Sequence, residues 1–269
     1  MERSTTYVVG FAAILCLVCG IIVSSSAVAL KETQERNAVL DRQKKVLIVA
    51  GFDEVGAADA DTIERLFEEN IKSEIITLQT GDVVVDATDE GYDYDTMAKD
   101  PGMSFAAPDK NSIGAKRLPN QVLVYKRFKD GQLDKLILPM KGKGLWGPMY
   151  GFVALANDLN TIEGLIFYKH QETPGLGGEI ENPSWVAKWP GRYAFKTDKA
   201  SGQIEMPAKP AVVVMKGAAT PGDPYQIDGL SGATITSRGV TGMTDFWLGE
   251  TGYGPYLAKL RQKGGANGQ

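Results

Sequence analysis

Apolar residues run without a charge from 7 to 30, where Y-V-V-G-F-A-A-I-L-C-L-V-C-G-I-I-V leads into S-S-S-A-V-A-L. At about 1.5 Å per residue, some 20 helical residues cross a bilayer core, so the run predicts a transmembrane helix. A cleavable signal peptide competes with this reading, because Ala27-Val28-Ala29 fits the A-x-A pattern. The retained anchor fits better. The apolar part exceeds the usual signal core of about 7 to 15 residues, and Arg3 is the only positive side chain before it. Residues 31–49 mix charges with Val39, Leu40, Val46, Leu47 and Val49, a helix leaving the membrane. Over 58–76, Ile63, Leu66, Phe67 and Ile71 recur at three and four, which predicts a second helix with Asp61 placed to cap it. From 81 to 118 the pattern dissolves into Asp, Gly, Pro and Ser, as in a long loop or small insertion.

Strand patterns then take over. Residues 121–128 and 133–138 flank Lys129-Asp130-Gly131-Gln132, a hairpin by its Asp-Gly turn, with Pro139 expected to close the second strand. A Gly-rich turn, K-G-K-G-L-W-G-P (141–148), carries Leu145 and Trp146. Residues 150–156 and 161–169 form a second hairpin around 157–160. A short helix over 182–189 starts with Pro183, and 211–216 reads as a buried strand. From 237 to 248, Val240, Met243, Phe246, Trp247 and Leu248 stand near helical spacing. Two helical pieces finish the chain, and G-G-A-N-G-Q is a frayed tail. Helices first and strands later predict an α+β fold, a soluble domain behind a single N-terminal transmembrane helix.

Composition narrows the function. The 269 residues suffice for one large or two small domains. A net charge of −4 with no basic stripe excludes nucleic acid as a partner. The two cysteines, Cys16 and Cys19, lie inside the apolar run, so the remainder holds no Cys-based iron–sulfur or zinc site. His170 is the only histidine; a structural role is expected for it, and no metal site. Positive charges on the two sides of the span, Arg3 against Lys31, Arg36, Arg42, Lys44 and Lys45, put the domain inside, by a rule that weakens for long translocated domains.

The densest chemistry is D-G-L-S-G-A-T-I-T-S (228–237), where Ser231, Thr234, Thr236 and Ser237 surround Gly232 and Ala233. It stands at or just before a helix start. Two readings follow: a helix cap made by a hydroxyl, or a site where free N–H groups and the positive end of the dipole favour a phosphate. A serine hydrolase does not fit. Ser231 lacks the flanking glycines of a G-x-S-x-G elbow, and His170 precedes it.

The string D-G-L-S-G-A-T (228–234) resembles the flavinylation motif of FMN-binding domains, and H-Q-E-T-P-G-L-G-G (170–178) resembles the turn that faces the flavin there. Behind one membrane span, the full chain is similar to the C-subunit family of sodium-translocating NADH:quinone reductases. The resemblance implies a division into an anchor (1–30), an N-terminal helical part with a long loop (31–120) and an FMN-binding domain (121–269). It implies FMN held covalently by a phosphodiester to Thr234, at the turn of Ser231, Gly232 and Ala233, with Thr236 and Ser237 as alternative acceptors. Leu145, Trp146 and Leu176 would meet the ring, although Trp146 also reads as a core tryptophan. Glu172, Thr173 and the N–H groups of 175–178, Gly177 among them, would meet its polar edge; the other reading of Glu172 is a solvated turn carboxylate. No base stands beside Thr234 in the sequence, and the family implies a separate, metal-dependent flavin transferase using FAD. The other implied partners are membrane lipid and further subunits of a redox complex in the bacterial inner membrane, with the domain in the periplasm. No G-x-G-x-x-G strand–turn–helix unit for NADH is present, and one span is too little for an ion path. The equivalent member of the related ferredoxin-linked complex and a non-redox, membrane-tethered binding module are the alternatives.

Overall fold

The computed structural model describes residues 4–86, 92–198 and 200–266. It divides into two units, Met1–Asp41 and Arg42–Gln269. Helix α1 (Thr5–Val49) runs through both the apolar and the charged segment, since no Gly or Pro occurs between 21 and 49 to stop it. It is long and apolar enough to cross a membrane, and its apolar stretch is wholly unburied.

After a 3₁₀ turn at Asp53–Ala57, α2 (Ala60–Asn70) is capped by Asp59, whose side chain accepts the Thr62 N–H, and not by Asp61. The helix expected to reach 76 stops at Asn70. Ile71–Thr77 is strand β1, where Ile71, Ile75 and Ile76 favour an extended chain. The segment 81–118 is also more regular than expected: it holds β2 (Val83–Asp86), α3 (Tyr94–Lys99), β3 (Ser104–Ala106) and β4 (Arg117–Pro119).

Strands β5 (Gln121–Lys129) and β6 (Gln132–Lys143) join through Asp130 and Gly131, both at positive φ as a tight two-residue hairpin requires. β7 (Pro148–Ala156), β8 (Thr161–Lys169) and the short β9 (Arg192–Tyr193) follow. The main sheet has seven strands in the order β2-β1-β5-β6-β7-β8-β9, every neighbour antiparallel. β1 therefore lies between β2 and β5, in one sheet with the later strands.

Pro139 does not close β6, which continues to Lys143. The β5 pairing ends at Ile137, and beyond it β6 pairs only with β7. On the open side, the Pro139 and Lys141 carbonyls accept the Tyr253 hydroxyl at 2.6 Å and Trp247 Nε1 at 2.7 Å. A missing N–H at 139 costs no ladder bond there.

A 3₁₀ turn at Gly177–Glu181 precedes α4 (Pro183–Val186), which Asn182 caps and which is shorter than predicted. The strand expected over 211–216 reduces to β10 (Val213–Val214), parallel to β11 (Gln226–Ile227). Helix α5 (Thr234–Leu248) starts three residues before its apolar pattern, and α6 (Gly254–Ala266) continues through the first residues of the expected tail; 267–269 lie outside the described residues.

Both faces of the sheet are covered. Val124, Leu138, Met140 and Val153 share a core with Val240, Met243 and Trp247 of α5 and with Leu257 of α6. On the opposite face, the Tyr125 ring lies 5.9 Å from that of Phe67 in α2, edge to face. Helix α5 approaches β6 backbone to backbone. A Cβ at Gly239 would stand 2.3 Å from the Lys143 carbonyl oxygen, and one at Gly142 would stand 2.7 Å from Met243.

Among the described residues, one charged pair lies inside: Lys126 Nζ is 2.6 Å from Glu74 Oε2, which also accepts the Tyr256 hydroxyl at 3.2 Å. Lys126→Met, which strands the buried carboxylate, is expected to lower stability by about 3–5 kcal/mol. Adding Glu74→Gln, which keeps an acceptor for Tyr256, is expected to recover more than half of that loss. Chemical denaturation of the detergent-solubilised protein measures both.

Candidate functional site

Three segments meet at one end of the sheet: the β6–β7 turn (144–147), the turn after β8 (170–178) and the start of α5 (228–237). Asp228 pins the third. Its Oδ1 accepts the Ala219 N–H at 2.6 Å, its Oδ2 holds the Lys188 ammonium, and its carbonyl accepts Trp185 Nε1 at 2.8 Å. Gly229 has no room for a side chain, since a Cβ would fall 2.1 Å from the Met215 carbonyl oxygen. Gly232 then turns the chain at φ +70°, a conformation that costs other residues.

The hydroxyls of this stretch do not cap the helix. The N-cap position is Ala233, with no side-chain cap. Ser237 Oγ is buried and accepts the Leu230 N–H at 3.1 Å. Thr236, 1% exposed, donates its hydroxyl to Glu172 Oε2. Ser231 is exposed and Thr234 half-buried at the first position of α5; among the described residues no protein group bonds the Thr234 hydroxyl. The first helical bond runs from the Ser237 N–H to the Ala233 carbonyl, so the amides of 234–236 are left for another acceptor.

Glu172 is no solvated turn carboxylate. It is 5% exposed, and while Oε2 takes the Thr236 hydroxyl, Oε1 accepts the Trp146 N–H at 2.9 Å. One carboxylate thus ties all three segments. Gly177 is buried beside it, where a Cβ would come within 2.6 Å of both Glu172 Oε2 and Thr236 Oγ1. The Glu172 N–H donates to His170 Nδ1 at 3.1 Å, which leaves the proton on Nε2, 3.4 Å from Glu181.

Trp146 is not a core tryptophan. It is 65% exposed and held at both ends, by its N–H on Glu172 and by Nε1, which donates to Thr173 Oγ1 at 3.0 Å. Leu145, its chain neighbour, is exposed, as are Leu176, whose Cδ2 would lie 3.0 Å from a Cβ at Gly232, and Ile235, next to Thr234. Sequence reasoning misses Ile235; its signal is an apolar residue outside the buried stripe of Val240, Met243 and Trp247. Among the amides of 175–178, those of Leu176 and Gly178 bond the Thr173 carbonyl, and the described residues show no partner for those of Gly175 and Gly177. The string G-K-G-L-W-G (142–147) has G-x-G-x-x-G spacing, yet it joins two antiparallel strands. No helix starts there to receive a pyrophosphate.

A flat exposed indole, exposed aliphatic side chains, a free hydroxyl and unengaged amides on three segments that one carboxylate ties together fit a cofactor with a planar ring and a phosphate tail. The class is an FMN-binding domain: the family model for that domain matches residues 144–249. The C subunit of the Na(+)-translocating NADH-quinone reductase of Pseudomonas aeruginosa is 43% identical over 266 residues, 97% of this chain and 98% of that one. The same subunit of Vibrio campbellii is 43% identical over 93% of each chain. The crystal structure of Shewanella oneidensis NqrC has TM-score 0.73 and 33% identity, covering 86% of this chain and 99% of that one. The chain belongs to the NqrC family, the C subunits of Na+-translocating NADH-quinone reductases.

The Asp228 carboxyl is held below its ordinary value of 3.8, first by Lys188 and then by the Ala219 N–H. Folding depresses this pKa, so the contribution is whole above pH 3.8 and is lost as pH falls through the lowered value. Asp228→Asn, which keeps the acceptor for Ala219, is expected to flatten the acid limb of melting temperature against pH below 3.8. An unchanged limb refutes the assignment.

Proposed function

We propose that Thr234 carries FMN through a phosphodiester and that the chain serves as an electron-transfer subunit of a membrane Na+-translocating NADH-quinone reductase. The observation that carries this reading is the state of the hydroxyls. Thr236 and Ser237 are buried and engaged, whereas Thr234 stands half-exposed at the helix start with no protein partner among the described residues. Thr234 Oγ1 forms the bond to the FMN phosphorus of FAD as the pyrophosphate P–O bond breaks. AMP leaves, and the hydroxyl proton passes to a base of a separate flavin transferase, since no described residue bonds Thr234 to activate it.

The amides of 234–236 and the positive end of α5 favour the phosphate charge. The turn of Ser231, Gly232 and Ala233 presents the acceptor. Trp146, Leu145 and Leu176 give the ring apolar contact, and Thr173 with the amides of Gly175 and Gly177 faces its polar edge. Glu172, with both oxygens engaged, supports these contacts through Trp146. Bound FMN supplies one- and two-electron transfer.

Helix α1 anchors the chain in the lipid of the bacterial inner membrane as a single span, with the domain in the periplasm. Sites for NADH, quinone and sodium belong to the other subunits, because one span does not build an ion path. Similarity over 97% of the chain to a member of the NADH-linked complex favours that complex over the ferredoxin-linked relative.

Co-expression with a flavin transferase is expected to give a band that fluoresces after denaturation. Thr234→Val is expected to abolish that fluorescence and to leave stability within about 0.5 kcal/mol of wild type. A colourless wild-type band would leave the non-redox, membrane-tethered module as the reading.

A further inference from the structure

We propose that Glu172 is the positioning residue that selects the acceptor, by withdrawing the Thr236 hydroxyl and leaving Thr234 to be modified. The inference rests on the Thr234–FMN reading. Thr234 and Thr236 lie two positions apart in the first turn of α5, and both are β-branched alcohols of equal intrinsic reactivity. Their surroundings differ. Thr236 donates its hydroxyl hydrogen bond to a carboxylate that is itself buried, and that carboxylate is fixed from its other oxygen by the backbone N–H of Trp146 at 2.9 Å. A hydroxyl so held is out of reach of a second protein's active site: its oxygen is buried and its hydrogen is directed into the protein interior. The same bond locks the first turn of α5 to the turns 144–147 and 170–178, which fixes the direction in which Thr234 is presented. Ser237 is occupied independently by the Leu230 N–H, so the selector acts on Thr236.

The test is the position of flavin in the tryptic peptide 217–238, located by fragmentation after maturation of the full chain with a flavin transferase and FAD. Acceptor identity is a readout that a loss of stability alone does not move. Wild type is expected to carry flavin at Thr234 only, and a bare wild-type peptide refutes the FMN reading itself. Thr234→Val leaves the buried carboxylate untouched and is expected to be bare. Flavin at Thr236 in that variant overturns the selector while leaving FMN binding in place. In Thr234→Val/Glu172→Ala, flavin is expected at Thr236, at least ten-fold above the Thr234→Val background. A bare peptide from folded double variant, judged by a cooperative melt, overturns the proposal. Should the double variant not fold, the Thr234→Val result alone decides.

Discussion

Helix α5 lies on the last residues of β6, its Gly239 against the Lys143 carbonyl and its Met243 side chain over Gly142, and the proposed cofactor site depends on that contact. Glycine at 142 and 239 permits it, while Trp247 and Tyr253 take up the carbonyls that β6 exposes where β5 no longer covers it. A helix seated this way has little freedom to slide, because any shift drives Met243 or the Lys143 carbonyl into a hard neighbour. The turn 144–147 is the direct continuation of the same strand. Thr234 and Trp146 therefore sit on two elements in direct contact, and the Glu172 bonds between the turns complete the arrangement.

Much of this is legible from residue pattern. The membrane-length helix, both hairpins and the buried face of α5 follow from local periodicity, and the Gly-rich turns mark places where Leu145, Trp146 and Leu176 stay exposed. Several failures share one cause, which is that pairing between distant segments decides the outcome. Ile71–Thr77 carries apolar residues at both helical and strand spacing, and its pairing with β5 settles the choice. Pro139 looks like a terminator until the open side of its strand is known. Glu172 passes for a solvated carboxylate because its partners are 26 and 64 positions away. The early start of α5 is hidden for a related reason: Thr236 and Ser237 are polar residues whose burial is made possible by hydrogen-bond partners outside the helix.

Exposed Leu145, Trp146, Leu176 and Ile235, on the segments that carry the proposed acceptor, are a modest attraction for a ring. At about 25 cal/mol per Å² of apolar surface covered, such a shallow patch does not hold a cofactor for the life of the protein. The proposed tether through Thr234 would change the requirement, because it would set a local concentration in about the millimolar range and let a weak, open contact stay filled. Openness is then no defect. A carrier that exchanges electrons with neighbouring subunits needs its ring near the surface, and the site is built as a ledge more than a pocket.

The order in which the site's parts leave the ribosome has a consequence of its own. Residues 144–147 are made first, 170–178 next and 228–237 last, and the last group is held in place only once α5 has docked on a strand synthesised some hundred residues earlier, a matter of seconds at about 5–20 residues per second. A truncated or misassembled chain never presents the finished ledge. With Thr234 as the proposed attachment point, pigmentation would serve as a certificate of completed folding.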